Sequence, residues 1–244
     1  MWKTLSSGLE KDGFCICEGF HVNHYNTLVP KYALPTYQRS DPIGFVIGAT
    51  KEFWTPFSNH LRKSGKISPD PVDSYCRNTI QQTIQQTISE YNSTNTEKVE
   101  YDLRFYDSPP KSGKFVHVQT AGHVAGFAYY DGDTFWSASG KYGVWFVYRA
   151  VLVVNMNFGE LGVPEPVLPL PVLSEKEKME IERLTKLAEE TFWQDSSILL
   201  QIRDVCEVGK LEWRYSGSLL DYFYPIQTTK TQVLHSILQQ PHET

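Results

Sequence analysis

An arginine inside an otherwise apolar run is the first residue that needs a chemical explanation. Arg149 lies in the middle of segment 144–154, whose other members are all aliphatic or aromatic. A buried guanidinium requires an anionic partner or several hydrogen-bond acceptors, because its removal from water is costly. Two interpretations follow: an internal salt bridge, or an anionic ligand that binds in a pocket beside the predicted strand.

A second candidate combines a histidine with small residues. Segment 119–126 reads QTAGHVAG, so His123 is followed three residues later by a glycine. Side chains this small let a bulky ligand approach the backbone closely, and corrinoid-binding enzymes use a histidine–x–x–glycine element for a lower cobalt ligand. The same tetrapeptide occurs by chance in many proteins, so a core histidine with a satisfied hydrogen bond is the alternative.

Other patterns that could bind a metal or a nucleotide are weak or absent. His21 and His24 have the i, i+3 spacing that serves a metal on a helix, but the sequence predicts a strand that leads into a loop here. Cys15 and Cys17 are one residue apart, and the four cysteines match no zinc-ribbon or zinc-finger spacing. The sequence has no phosphate loop, dinucleotide fingerprint or nucleophile elbow. We therefore expect no metal site formed by the protein's own side chains.

The composition is that of an ordinary globular protein. Of 244 residues, 41% are hydrophobic and 21% are charged, and the net charge is −5 without any basic block; a nucleic-acid interface is therefore not expected. No run approaches the ~18 apolar residues of a membrane helix. Few cysteines and the lack of an apolar signal core at the start predict a cytoplasmic protein. Aromatic residues, 14% of the chain, also line pockets for large flat ligands.

The elements that must position these residues are strands in the middle of the chain, with long helices between and after them. Apolar and alternating runs predict an extended segment over 14–22 and strands over 42–50, 99–106, 115–118 and 143–156; the last is apolar enough for a central strand covered on both faces. Helices are predicted over 51–62, limited by Pro56, and over 71–91, 175–193 and 229–239. A proline-rich segment, 163–171, is predicted to cross in extended form. This order predicts one α+β domain over residues 1–244, with a core of about 14–240.

Three segments, in combination and in order, resemble a known family. DPVD at Asp70–Asp73, VQTAGHVAGFAYY at Val118–Tyr130 and GVWFVYRAVLVV at Gly143–Val154 are similar to segments of the methylmalonic aciduria and homocystinuria type C family of cytosolic vitamin B12 processing proteins. Shorter stretches support the likeness: GFHVNHYNTLVPKYALP at 19–35, GFVIGAT at 44–50, IRD at 202–204 and RYSGSLLDYF at 214–223. The resemblance covers about residues 19–235.

This resemblance implies a fold and a reaction. The fold is expected to be similar to that of flavin-dependent nitroreductases, with a mostly antiparallel sheet flanked by helices. Cobalamin is expected to bind base-off; cyanide is then removed from cyanocobalamin by reduction, and alkyl groups pass from alkylcobalamins to glutathione, which leaves cob(I)alamin. Glutathione supplies the thiolate, so no catalytic side chain is expected. A weakly bound FAD or FMN and a thiol oxidase side activity are further expectations.

The resemblance also implies partners and ligand-binding residues. The expected partners are cobalamin, glutathione, a downstream B12 trafficking protein and the methionine synthase machinery, without nucleic acid or membrane. The two carboxylates of glutathione are expected to bind Arg149, Arg203 and Lys230, the last of which replaces an arginine of the family and loses its bidentate fork. His123 is expected beside cobalamin rather than on cobalt. The expected cobalamin contacts are Val116, His117, Val118, Gln119, His123, Tyr129, Tyr130, Asp131, Gly132, Ser137 and Tyr148.

Two alternatives to a cobalamin-processing enzyme stay open. A flavin-dependent oxidoreductase of the nitroreductase type, acting on other substrates, explains the aromatic content and Arg149 but not the full set of motifs. A non-catalytic B12 carrier would deliver the cofactor to a partner without chemical change. The colour of the loaded protein distinguishes the first alternative, and turnover distinguishes the second.

Overall fold

A four-stranded antiparallel sheet lies at the centre of the computed structural model, which describes residues 1–240. Its strands are β1 (Ile16–His21), β2 (Pro42–Ala49), β3 (Tyr101–Phe105) and β6 (Val147–Asn157), in the spatial order β1-β2-β6-β3. A separate two-stranded ladder joins β4 (Tyr129–Tyr130) to β5 (Ser137–Ala138). The predicted α+β class with an antiparallel sheet is confirmed.

Helices cover both faces of the sheet and fill the last third of the chain. Within residues 1–240 they are α1 (Trp2–Lys11), α2 (Val22–Leu28), α3 (Trp54–Ser64), α4 (Pro71–Thr94), α5 (Val118–Val124), α6 (Glu175–Glu190), α7 (Ser196–Val205), α8 (Lys210–Trp213), α9 (Gly217–Phe223) and α10 (Lys230–Gln239). Short 3-10 turns lie at Pro30–Tyr32, Lys51–Phe53 and Phe158–Glu160. None of these helices is both long and apolar enough to cross a membrane.

The central position of β6 follows from its apolar sequence. Ala150 and Leu152 pack on one side of the sheet, in a hydrophobic cluster that includes residues of α1, α3, α4 and α10. Val151 and Val153 pack on the other side, in a cluster with residues of α2 and α5. A strand covered on both faces gains from apolar residues at every position, which explains the near-continuous run.

A β-bulge in β6 sets the direction of Arg149. Ile47 of β2 pairs with Ala150, but the next residue, Gly48, pairs with Tyr148, so Arg149 is the extra residue. An extra residue interrupts the normal alternation of side chains. Arg149 consequently shares the α4 side of the sheet with Ala150, where it bonds to a carboxylate of α4, whereas Tyr148 packs against α5.

Local start signals explain the helices that the sequence predicted. α4 begins at Pro71 and buries Val72, Cys76 and Ile80 along one stripe, although it continues to Thr94, beyond the predicted end at 91. Capping boxes open α6, where the Ser174 side chain accepts from Glu177 N, and α10. The predicted α6 extended to residue 193; it ends earlier because the two residues at 192 and 193 adopt left-handed φ values of 50° and 60°.

Several predicted elements are wrong and have a physical explanation. Residues 115–117 are not a strand: the His117 side chain caps α5, accepting from Thr120 N at 3.2 Å, so the helix begins at residue 118. The strand predicted from residue 143 begins only at Val147, because Gly143 has a left-handed φ of 54° and residues 139–143 form a tight turn. The loop predicted after His21 is helix α2. The sequence did not predict α1, α7, α8 or α9.

The C-terminal helices build a hydrophobic cluster of their own beside the start of β6. Trp145 is fully buried there, among residues of α6 and α7 and the aromatic side chains Trp213 and Tyr215. At the other end of the chain, Leu5 and Leu9 of α1 are buried, so apolar packing begins before the predicted core limit at residue 14. The single domain over 1–244 stays a prediction, and residues 241–244 lie outside the described part.

Candidate functional site

A cavity of about 440 Å³ lies where the beginning of β6 meets α5, α7 and the loop between β4 and β5. Six of the predicted ligand-binding residues line it, and they come from segments far apart in the chain. These six are Val118, Gln119, Ser137, Tyr148, Arg149 and Arg203. The structure thus brings together the two arginines expected for glutathione and four of the residues expected for cobalamin.

Two buried hydroxyl groups of the cavity have no hydrogen-bond partner within residues 1–240. They are Ser137 Oγ and Tyr148 Oη. Burial raises the pKa of Tyr148, against a smaller lowering by Ser137, so the phenol stays protonated. Gly122 of α5 makes room for this phenol, because a Cβ at residue 122 would collide with Tyr148 Oη. The two hydroxyls are therefore close neighbours that do not meet hydrogen-bond geometry with each other, and both are buried in the ligand-free protein.

The contacts of Arg149 confirm that it forms an internal salt bridge, and they leave one of its N–H donors without a partner. The side chain is 4% exposed, and its Nη1 donates to Asp73 Oδ1 at 2.9 Å, while its Nε is buried without a partner. Burial alone lowers the pKa of this guanidinium, but the neighbouring Cys76, Asp73 and Tyr106 outweigh it and raise the pKa. The arginine is thus permanently charged, and an anionic ligand in the cavity can still bind it.

Arg203 reaches the cavity from α7 and is held without an ion pair in the described residues. Its Nη1 donates to the carbonyl oxygen atoms of Val144 at 2.5 Å and Phe146 at 3.4 Å. The guanidinium also lies 5.9 Å from the ring centre of Trp136 and 5.6 Å from that of Trp145. Carbonyl and aromatic contacts orient the cation but leave its charge uncompensated, which suits a carboxylate ligand.

Aromatic residues that the sequence analysis did not single out form much of the cavity wall. They are Tyr106, Phe135, Trp136, Phe146 and Phe223. Phe135 is 69% exposed and has a left-handed φ of 60°, and its carbonyl oxygen accepts from Gln119 Nε2 at 2.7 Å. A strained, exposed aromatic beside a cavity is typical of functional sites. Phe146 and Phe223 lie in segments that resemble the family, whereas the only sequence signal for Tyr106, Phe135 and Trp136 was the high aromatic content.

Several predicted cobalamin contacts lie outside the cavity wall and have structural roles. Val116 is 2% exposed in the cluster behind α5, and His117 caps that helix. Tyr129 and Tyr130 form the short ladder with β5. Asp131 is 4% exposed; its carboxylate accepts from the turn amide at residue 134 and binds a lysine of α6.

Gly132, the last predicted cobalamin contact in this loop, is exposed, with open space where a Cβ would be. Burial raises the pKa of the preceding Asp131, but hydrogen bonds from Lys178 and Thr134 outweigh this effect and hold the pKa below its usual value. The turn between β4 and β5 is therefore held by an ion pair to Lys178 of α6. It positions Ser137 and the exposed Phe135 at the cavity without needing a ligand.

His123 is half-buried and does not line the cavity. Its Nδ1 accepts from Tyr130 N at 3.3 Å, and its ring contacts Tyr129 edge to face. Burial, and to a smaller extent His24, lowers its pKa, so the ring is neutral near neutral pH. The following Gly126 has a φ of 75°, and a Cβ there would lie 2.5 Å from the Val167 carbonyl oxygen of the proline-rich segment. The protein's own backbone thus fills the space that the small residues create at this end of α5.

Lys230 lies apart from the two arginines. It is exposed at the first position of α10, and its Nζ is 5.4 Å from the ring centre of Tyr222. Lys230 does not line the cavity, although Phe223, which follows Tyr222, does. The lysine is therefore at the periphery of the site.

In the histidine pair near the start of the chain, His21 is bonded to two carboxylates. His21 Nδ1 bonds to Asp41 and His21 Nε2 bonds to Glu165, each at 2.7 Å. Within residues 1–240 there is no group of three histidine, cysteine, aspartate or glutamate residues arranged to hold a metal ion. His21 thus joins β1 to the proline-rich segment.

Comparison with known proteins gives a consistent result. The family model described as the methylmalonic aciduria and homocystinuria type C family matches residues 13–234. A protein of Gallus gallus named cyanocobalamin reductase / alkylcobalamin dealkylase is 30% identical over 243 residues, covering 91% of this chain and 90% of that protein.

A solved structure supports the fold assignment. The crystal structure of a B12-trafficking protein of C. elegans, described as CblC and a homologue of a human protein, aligns with a TM-score of 0.68. It covers 99% of this chain and 97% of that chain at 18% identity. This likeness concerns the fold, and it confirms the nitroreductase-like α+β class expected from the sequence.

Proposed function

The chain belongs to the methylmalonic aciduria and homocystinuria type C family, and on that premise we propose that it binds cobalamin and removes its upper ligand. The avian relative carries both activities in its name, cyanocobalamin reductase and alkylcobalamin dealkylase. The proposal therefore includes reductive removal of cyanide and glutathione-dependent removal of alkyl groups.

One observation carries this proposal: two guanidinium groups and two hydroxyl-bearing side chains line a single cavity. They belong to Arg149, Arg203, Ser137 and Tyr148. Arg149 Nε, Ser137 Oγ and Tyr148 Oη are buried without a hydrogen bond within residues 1–240, and a ligand toward which these side chains turn would recover part of the about 1–3 kcal/mol that each unpartnered polar atom costs. The edge of a corrin ring carries amide groups, and glutathione carries carboxylates, which together match two hydroxyls and a guanidinium.

The size of the cavity indicates how the two ligands share it. About 440 Å³ is within the usual range for small-molecule pockets but too small to enclose a whole cobalamin. We infer that the corrin edge lies against Ser137 and Tyr148 while most of the molecule remains outside. Arg149 and Arg203, on the other side of Tyr148, would then receive the carboxylates of glutathione.

In the proposed dealkylation, the thiolate sulfur of glutathione attacks the alkyl carbon of the cobalamin. A sulfur–carbon bond forms as the cobalt–carbon bond breaks, and the electron pair of that bond stays on cobalt, giving cob(I)alamin and a thioether. The protein contributes orientation, because two bound reactants need no further loss of translational freedom. The two cationic side chains also favour an anionic thiol near the cavity.

In the proposed decyanation, one electron reduces cobalt(III) to cobalt(II) and cyanide departs with its bonding pair. A reduced flavin, FAD or FMN, is the proposed electron source. Binding cobalamin base-off makes this reduction easier, because cobalt loses a nitrogen donor that stabilises its higher oxidation state. His123 does not replace that donor in this proposal, because it does not line the cavity.

Absorbance spectroscopy tests the proposal. Methylcobalamin mixed with excess purified protein should lose its red base-on spectrum and become yellow-orange, and anaerobic glutathione should then convert it to cob(I)alamin. An unchanged base-on spectrum at saturating protein overturns cobalamin binding. A yellow protein with a flavin spectrum and no response to cobalamin favours the nitroreductase-type alternative, and base-off binding without turnover favours a carrier.

The proposal also covers the role of Lys230, the partner proteins and the cellular location. Lys230, at its edge, would hold glutathione less rigidly than an arginine, which favours a thiol oxidase side reaction in air. The proposed partners beyond the two substrates are a downstream B12 trafficking protein and the methionine synthase machinery. A cytoplasmic location is proposed because all four cysteines are free thiols.

A further inference from the structure

Asp73 is a carboxylate in contact with two residues of the cavity wall. Its Oδ1 accepts from Arg149 Nη1 at 2.9 Å, and its Oδ2 accepts from the Tyr106 hydroxyl at 3.1 Å. Both donors line the cavity, and the Asp73 side chain is 25% exposed. Burial and the Asp73 charge raise the pKa of Tyr106 to about 12, so the phenol is protonated and donates. The carboxylate does not itself line the cavity, but it is joined to the cavity wall through two side chains and keeps part of its surface open to solvent.

In the Arg149–Asp73 pair, Arg149 has a hydrogen-bond donor and Asp73 has acceptor positions that no described residue uses. A carboxylate can accept about four hydrogen bonds, and the described residues provide two for Asp73. Arg149 is nearly fully buried and keeps Nε without a partner. A ligand that completes this pair must present an anionic acceptor to Arg149 and a cationic donor to Asp73. An α-amino acid zwitterion has both, since its carboxylate and ammonium are attached to one carbon atom.

We propose that Asp73 binds the α-ammonium group of the γ-glutamyl residue of glutathione, while Arg149 binds the α-carboxylate beside it. The proposal rests on glutathione-dependent dealkylation and assigns the γ-glutamyl end of the peptide to the α4 side of the cavity. Arg203, which has no carboxylate partner in the described residues, remains for the glycyl carboxylate. The pair therefore selects glutathione over thiols that lack an amino-acid group.

Neighbouring carboxylates do not offer the same contact. Asp70, at the start of the same helix, is exposed and makes no capping hydrogen bond with its side chain. Asp107, close to Tyr106 in sequence, forms an ion pair with Arg77. Asp73 is thus the carboxylate that shares partners with the cavity wall, and Asp70→Asn is a matched control that removes the same charge three residues away.

The experiment compares two thiols that differ only in the ammonium group. Glutathione and its des-amino analogue, glutaryl-cysteinylglycine, are supplied to the methylcobalamin-loaded protein without oxygen, and KM and kcat are measured for each. The wild type should show a KM about tenfold higher for the analogue, as expected for one partly exposed charge-assisted hydrogen bond. Asp73→Asn should raise the KM for glutathione and bring the ratio close to one, whereas Asp70→Asn should keep the wild-type ratio.

Each outcome is decisive. If the wild type uses both thiols with equal KM, or if Asp73→Asn raises both KM values by the same factor, Asp73 only orients Arg149 and the proposal is overturned. If Asp73→Asn does not fold, as judged by circular dichroism and cobalamin binding, the wild-type ratio decides alone. If the wild type binds cobalamin but dealkylates with neither thiol, the proposed glutathione reaction itself fails and takes this assignment with it.

Discussion

Replacing Tyr148 with phenylalanine should stabilise the ligand-free protein and weaken its binding of cobalamin. The Tyr148 hydroxyl is buried and makes no hydrogen bond of normal geometry within residues 1–240, although the Ser137 hydroxyl lies close to it. Such an oxygen costs about 1–3 kcal/mol relative to an apolar group. Deleting one oxygen beside Gly122 leaves a small void, which costs about 0.5 kcal/mol. The free energy of unfolding should therefore rise by about 1 kcal/mol, and Tm by about 2–4 °C for a chain of this size.

The same substitution removes a hydrogen bond that the proposed complex would contain. A neutral hydrogen bond contributes about 0.5–1.5 kcal/mol, so the Kd for cobalamin should increase about threefold to tenfold. The two effects have opposite signs because the hydroxyl is without a hydrogen bond in the free protein and would gain one in the proposed complex. A residue retained only for packing would not show this opposition.

Thermal unfolding followed by circular dichroism and absorbance titration with methylcobalamin measure the two effects. Tyr25→Phe is the matched control, since Tyr25 is fully buried and its hydroxyl accepts from His117 N at 2.9 Å. That variant leaves an amide without its partner and should lower Tm. The reasoning is refuted if Tyr148→Phe lowers Tm as Tyr25→Phe does, or if its Kd for cobalamin equals that of the wild type.

Three further substitutions address the charged groups. Arg203→Ala should weaken glutathione binding about tenfold to a hundredfold, by loss of a charge-assisted contact, and change the Kd for cobalamin much less; titration with each ligand checks this, and equal losses would contradict it. The pKa of His21 is raised because its two carboxylate partners outweigh burial, so its stabilising effect is complete below about pH 6.5 and is lost as the pH rises through the raised value. The Tm of the wild type should therefore fall more than that of His21→Gln between pH 5.5 and pH 8.5. Thermal melts of both proteins at several pH values across this window measure the difference. Lys230→Arg should tighten glutathione binding and raise dealkylation relative to oxygen consumption in air; an unchanged ratio of the two rates means that residue 230 does not reach the thiol.

The regular elements that the sequence predicted are those with strong local signals. β2 and the apolar part of β6 carry runs of β-branched residues, and α6 carries the capping box at Ser174. The missed helix α1 has no such signal, because its buried face consists of only Leu5 and Leu9. At residues 115–118 an apolar run of strand type was overridden by one side-chain hydrogen bond, from Thr120 N to His117. Local propensity is a weak guide where a cap competes with it.

The site was predictable only in part, because resemblance identifies residue types but not their contacts. Arg149 and Arg203 were expected at one ligand, and the structure brings both to one cavity. The partner of Arg149 was not predicted: Asp73 is 76 residues away in sequence, and only the packing of α4 on the sheet joins them. Phe135 was missed for a similar reason, since its exposure depends on the turn that precedes β5.

The small residues of α5 show how one sequence feature supports two explanations that only packing separates. Alanine and glycine at 121–126 indicated room for a bulky ligand, yet Gly122 accommodates the ring of Tyr148, and Gly126 accommodates the backbone at Val167. Gly122 nevertheless bears on the proposed cobalamin site. Because the Tyr148 phenol rests on Gly122, this glycine fixes the position of a side chain that lines the cavity. A substitution Gly122→Ala should therefore displace Tyr148 and impair cobalamin binding without touching the ligand itself.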